Sequence, residues 1–288
     1  MAGSNNTEGV SFDLTYGNFP VFIITIVGVA SNVLLLVAFG KDPLKCFRNS
    51  GTYLVMNLSV TDCLTCVLAP FSHAITIADS RLIFEYLLQW MASVSLALIL
   101  AVSIDRFILV AYPIRHHALV NGKLIALWLA AAWVVSFILP VLRWIASSTW
   151  NFKTKNTSNC VFVIIIIIFS ALFYASTYYK LKKQSRNIAS QVSNESRAQQ
   201  LRLLKETQFL KTIMLVACIA FVCTVPSMTF FQITDILAVR KDIPVFQTFS
   251  KIFMCLFYIN FAVNPFIYVI RFPNYRKTFH ILFYKKGL

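Results

Sequence analysis

Val161-Phe162-Val163-Ile164-Ile165-Ile166-Ile167-Ile168-Phe169 is an unbroken apolar run with no polar residue to separate an inward from an outward face. A strand of a membrane barrel alternates in character over about ten residues, so this run reads as part of a helix. Composition extends the reading to the whole chain. Of 288 residues, 58% are hydrophobic and only 13% charged, where a soluble domain has about 25% charged residues. With a mean hydropathy of +0.71, the apolar surface is too large for one water-surrounded core, and lipid is the solvent expected for most of it.

Outward from residues 161–169, the same test finds seven apolar runs, at about 19–40, 52–75, 82–112, 124–143, 161–181, 207–237 and 246–270. Each is long enough to cross a hydrocarbon core of roughly 30 Å as a helix of about 20 residues. The fold class expected is an all-α membrane protein, a seven-transmembrane-helix bundle. Residues 1–18 form an extracellular N-terminus, 19–270 the bundle, and 271–288 a cytoplasmic tail. In that tail Phe272, Tyr275, Phe279, Leu282 and Phe283 recur at helical spacing with basic residues between them, the pattern of a short amphipathic helix lying on the membrane surface. The polar stretch 182–205 reads as a cytoplasmic loop flanked by helical extensions of its neighbours. Before Phe19 there is no Lys or Arg and no apolar stretch, so the first span is expected to serve as its own insertion signal.

Charge sets the orientation. With the N-terminus outside, Arg81, Arg143, Lys153, Lys155, Arg240, Lys241 and Lys251 fall on the outer side, and the rest of the 26 Lys and Arg residues fall inside. The positive-inside rule then places the C-terminus in the cytoplasm. The sequons at Asn5 and Asn156 lie outside, where glycosylation is chemically accessible, whereas the one at Asn194 lies inside. A net charge of +15 follows from this topology and from anionic inner-leaflet lipid, so membrane lipid is an expected partner and nucleic acid is not.

Polar groups inside the spans are costly and ask for a reason. Asn32, Asp62, Ser95, Asn260 and Asn264 all interrupt apolar runs, and Asp62 is the acid set deepest in one. A single intramembrane Asn is often interhelical glue. Four oxygen-bearing groups around one carboxylate also make a cluster able to hold a small cation.

Two stretches then suggest a family. Ser103-Ile104-Asp105-Arg106-Phe107 through Tyr112-Pro113-Ile114-Arg115 closes the third span, and Asn260 through Asn264-Pro265-Phe266-Ile267-Tyr268 closes the seventh. Here the chain resembles the rhodopsin-like G-protein-coupled receptors, whose hallmarks are a Glu/Asp-Arg-Tyr triplet and an Asn-Pro-x-x-Tyr motif at these places. Asn32, the Asn57-to-Asp62 stretch, Trp133, Tyr174 and Pro226 follow the family's order and spacing. The resemblance implies a receptor for an unidentified extracellular ligand, in the plasma membrane, acting on a heterotrimeric G protein by outward motion of the sixth helix. It implies a switch made of Asp105, Arg106, Glu206, Tyr174, Asn264, Pro265 and Tyr268, with Arg106 held by Asp105 and Glu206. It also implies a sodium ion on Asp62, Ser95, Asn260 and Asn264, and no other cofactor.

The departures are specific. Arg81 stands where the family has a third-span Cys, leaving Cys160 without its usual disulfide partner. Thr224 replaces the Trp of the sixth-span Cys-Trp-x-Pro motif, Ile166 the fifth-span Pro, and Ala220 a Phe, so transmission from ligand to core is expected to differ from that of typical members. Leu88 occupies the position of the amine receptors' Asp, and Tyr258 that of the opsins' Lys, which argues against amines and retinal. Glu85, Leu88, Gln89, Ala92, Gln232, Met254 and Tyr258 are the candidate ligand-facing residues. Peptide, nucleoside, lipid and odorant ligands all remain compatible.

A transporter or channel is the alternative, since it too places charge in the membrane, but the paired repeats that often mark transporters are not visible. An enzyme is not expected, because no convergent catalytic set is visible. His73, His116, His117 and His280 lie near helix ends, and His116-His117 reads as an interfacial loop pair.

Overall fold

The computed structural model describes residues 19–45, 47, 49–74, 78–146, 152–189, 194–237 and 243–284. Among these, the chain forms α1 (Phe19–Lys41), α2 (Ser50–Ala74), α3 (Ala78–Ala111), the short α4 (His116–Leu119), α5 (Gly122–Ala146), α6 (Phe152–Ala189), α7 (Asn194–Ile236), α8 (Pro244–Arg271) and α9 (Pro273–Tyr284). Stretches in α1, α2, α3, α6, α7 and α8 are long and apolar enough to cross a membrane, and α5 contributes a shorter apolar stretch, Gly122–Ile138. These seven correspond to the runs read from the sequence. Helices α6 and α7 extend well beyond their apolar parts and take up most of the polar stretch 182–205, leaving only 190–193 between them, outside the described residues.

Local chemistry explains where helices start. The Asn49 side chain accepts from the Thr52 amide at 2.9 Å, and that of Asn121 accepts from the Leu124 amide at 2.9 Å. Each satisfies an amide that the first turn leaves without a partner. Pro244 opens α8 at a position where no intrahelical amide is needed.

The run 161–169 shows why lipid is required. Val163, Ile166, Ser170, Tyr174, Thr177 and Leu181 are buried, spaced three or four residues apart along one face of α6. Ile164, Ile165, Ile168, Phe169 and Leu172 point away from the bundle and are about half exposed. An isoleucine face of that width is stable only against hydrocarbon.

Helix α3 is the hub, packed against α2, α5, α6 and α7, while α8 packs against α1, α2, α7 and α9. The larger apolar cluster joins Leu35, Leu54, Leu58, Leu98, Val102, Leu210, Ile213 and Tyr268 from five helices. A smaller one gathers Val21, Cys66, Ala69, Leu88, Ala92, Tyr258 and Phe261. Trp133 of α5 meets Trp90 of α3 edge-on at 5.7 Å, and the Trp90 indole donates to the Trp133 carbonyl at 3.0 Å. The tail folds as the expected amphipathic helix, with Tyr275 buried against Phe39 and Phe47 and with Arg276 and Lys277 exposed.

Candidate functional site

Two polar centres lie within the bundle. The first surrounds Asp62, which is fully buried on α2. Ser95 of α3 donates to one carboxylate oxygen at 2.9 Å, and the Asn264 amide of α8 donates to the other at 2.7 Å. Both donors are neutral, so the carboxylate is solvated by dipoles. Asn260, one turn before Asn264, is buried with its Oδ1 unsatisfied, as is Oδ1 of Asn264. Asn32 serves a different purpose: its amide donates to the Gly28 carbonyl at 2.9 Å and the Phe261 carbonyl at 3.0 Å, tying α1 to the α8 backbone. Two helices approach closely at that height, and a Cβ on Gly28 would run into the Cys66 sulfur.

A carboxylate and free amide oxygens are the donor set of a hard cation such as sodium. Among the described residues no group of His, Cys, Asp and Glu has the arrangement of a transition-metal site.

The second centre lies at the end of α3. Asp105 and Arg106 are both buried. The Arg106 Nε donates to Asp105 Oδ2 at 2.9 Å, and its Nη2 meets the same oxygen. The other carboxylate oxygen lies 3.1 Å from His116 Nε2 at the start of α4. His116 is therefore a buried partner of the acid, a correction to its reading as an interfacial loop residue, because α4 folds back beneath α3. Across from them, a Cβ on Gly51 would collide with the Arg106 guanidinium, so the bare α2 backbone gives that group its room. On the α7 side, the Arg106 Cζ sits 4.4 Å from the ring centroid of Phe209.

Of the other expected switch residues, Tyr174 donates to the Ile99 carbonyl of α3 at 3.4 Å. Tyr268 is buried with its hydroxyl unsatisfied, and Pro226 and Pro265 lie inside α7 and α8. Glu206 is on α7, but its side chain lies outside the described residues. So do the side chains of Arg81, Asn156 and Cys160, and Asn5 altogether; the disulfide and glycosylation expectations fall on these.

Above the Asp62 cluster is a cavity of about 10 Å³, lined by Ala92, Ser93, Leu96, Val163, Thr224, Met228, Phe257, Asn260 and Phe261. Of the expected ligand-facing residues it includes Ala92. Leu88, Tyr258 and Met254 pack into the smaller apolar cluster instead, Gln89 and Gln232 are half-buried, and Glu85 is exposed. Thr224 and Asn260 each turn an unsatisfied buried oxygen toward this region. Spacing along one chain could not have found the cavity, although the family-unlike Thr224 pointed to its location.

Comparison with known proteins agrees with this geometry. The chain is 24% identical to the human histamine H2 receptor over 283 residues, covering 91% of this chain and 77% of that receptor. It is 25% identical to the Gallus gallus adenosine receptor A2b over 298 residues, covering 90% and 85%. It is 25% identical to Xenopus laevis melanopsin-B over 295 residues, covering 92% and 54%. Residues 31–268 match the pattern of the 7 transmembrane receptor (rhodopsin family). Because that match runs from the first-span asparagine to the last tyrosine of the seventh span and takes in both polar centres, the chain belongs to the rhodopsin family of seven-transmembrane receptors.

Proposed function

We propose that this receptor binds an extracellular ligand between its helices and activates a heterotrimeric G protein when the inner end of α7 swings outward. The observation that carries the reading is the buried pair of Asp105 and Arg106 at the end of the bundle that also holds α4 and α9. A buried guanidinium paired beside a docking face is a charge that a partner can use once the pair opens. In this reading the α4 and α9 end faces the cytoplasm, the N-terminus is extracellular, and the plasma membrane is the site of action. The prolines inside α7 and α8 each break one backbone hydrogen bond and supply flexible points.

The cavity of about 10 Å³ beside Asn260 has room for one water and not for a ligand, so ligand chemistry is read from the residues at the positions the family uses. Leu88 and Tyr258, members of one buried cluster, themselves offer neither an anion for an amine nor an amine for an aldehyde. The reading is of a ligand that is neither an amine held by a third-span carboxylate nor retinal held by a seventh-span lysine. Sodium would be held by Asp62, Ser95, Asn260 and Asn264, neutralising the carboxylate and favouring the resting bundle.

The test is nucleotide exchange on purified G proteins by the receptor in lipid nanodiscs. Receptor-dependent exchange that rises with an added ligand supports the proposal. Ligand-driven flux of a solute or ion across sealed vesicles, with no exchange on any G protein, would establish a transporter or channel in its place.

A further inference from the structure

Among the neighbours of Arg106 are an acid and an aromatic ring. Asp105 takes its N–H edge, and the ring of Phe209 lies against its face. A ring quadrupole attracts a cation most strongly where water is kept out, and Arg106 is buried. Phe209 is half-buried on α7 and packs against the main apolar cluster.

The same ring has a second aromatic contact. Phe209 stacks on Phe272 at 5.3 Å with planes 30° apart. Phe272, which follows the last residue of α8, stacks on Tyr268 at 6.4 Å and lies 5.5 Å from Tyr275 of α9. One residue before Phe209, the Gln208 side chain donates to the Arg271 carbonyl at 2.6 Å. A continuous column thus runs from the α3 arginine through an α7 ring to the junction of α8 and α9, and it includes the tyrosine of the seventh-span motif.

We propose that Phe209 is a positioning residue for the switch: its ring, in contact with both Arg106 and Phe272, holds the inner end of α7 against α3 and α8 in the resting receptor. This rests on the receptor reading above. Outward motion of α7 must withdraw the ring from the guanidinium face and from Phe272 together. The contact needs an aromatic face, which separates it from ordinary packing, since a leucine would fill much of the space and restrain nothing.

The experiment compares the full chain with Phe209→Leu, Phe209→Trp and Phe272→Leu in lipid nanodiscs, without ligand. Two quantities are read: basal nucleotide exchange on G protein, and the distance between spin labels at the exposed Ile114 and Leu204, with native thiols replaced. Loss of a cation–aromatic contact of this kind predicts a basal exchange about two- to tenfold higher for Phe209→Leu, with the label distances shifted longer. Phe272→Leu is expected to move both readouts the same way by less, and Phe209→Trp to restore the restraint. Leu and Trp variants that both behave like the native chain would overturn the proposal, as would a Trp variant as active as the Leu variant. Should Phe209→Leu fail to fold, Phe272→Leu tests the column from its other end, and a native-like result there counts against it. Longer label distances in Phe209→Leu with no exchange in any variant, Glu206→Gln included, would uphold the restraint and reject G-protein coupling.

Discussion

A carboxylate surrounded by hydrocarbon must be neutralised or solvated by fixed dipoles, and at Asp62 the dipoles are Ser95 and Asn264. The unsatisfied oxygens of Asn260 and Asn264 beside them leave acceptors for a cation. Sodium should therefore raise the thermal stability of the detergent-solubilised receptor relative to an equal concentration of a bulky organic cation, and Asp62→Asn should abolish the difference. Equal sodium responses in the two proteins would mean that no ion binds there. Thr224 permits a test in which the sign decides. A cavity of about 10 Å³ with two polar partners has room for one water, and a water bridging Thr224 and Asn260 makes Thr224→Val destabilising by about 1 kcal/mol. Were the cavity dry, the same substitution would remove an idle buried hydroxyl and raise the melting temperature.

Among the elements, α9 depends most on a few contacts. Its burial rests on Tyr275, which lies 5.6 Å from Phe39 edge-on and 4.8 Å from Phe47, while Arg276 and Lys277 on the other face are exposed. Aromatic pairs of this sort contribute about 0.5–1.5 kcal/mol each beyond their area. Tyr275→Ala should leave the bundle folded but release the tail. Amide exchange across 273–284 should rise several-fold while the amides of α3 stay protected; unchanged protection in α9 would show that lipid, and not Tyr275, holds it. Helix α6 shows the opposite economy, since its outward isoleucines need no protein partner once lipid is present.

At the scale of the molecule, the proposed function is a shift between two arrangements of the bundle, and its size is limited by the difference in contacts between them. If Glu206 adds a charge-assisted restraint on Arg106, Glu206→Gln should raise basal exchange at equal surface expression, by roughly two- to tenfold for a lost interaction of about 0.5–1.5 kcal/mol. Unchanged exchange would remove Glu206 from the switch. With Arg81 in place of the third-span cysteine, ligand binding should also survive mild reduction. Loss of binding that tracks cleavage of a bond to Cys160 would reveal a pairing the sequence does not show.

The length and apolar character of the runs determined the seven spans by themselves, because a helix in hydrocarbon has a length set by the bilayer and backbone bonds satisfied within itself. Costly residues such as Asp62, Asn260 and Arg106 were equally visible, since a polar group amid apolar neighbours stands out in one dimension. What a polar residue bonds to is a matter of helix rotation and crossing, which no spacing encodes. Only the tertiary structure tied the Asn32 amide to the α8 backbone, and only it brought His116 to Asp105. It alone laid Phe209, one of 26 phenylalanines, across the face of the arginine. An aromatic residue in an apolar helix carries no sign in the sequence of which neighbour it will meet, because every face of such a helix is equally at home in lipid, and packing between helices makes that choice.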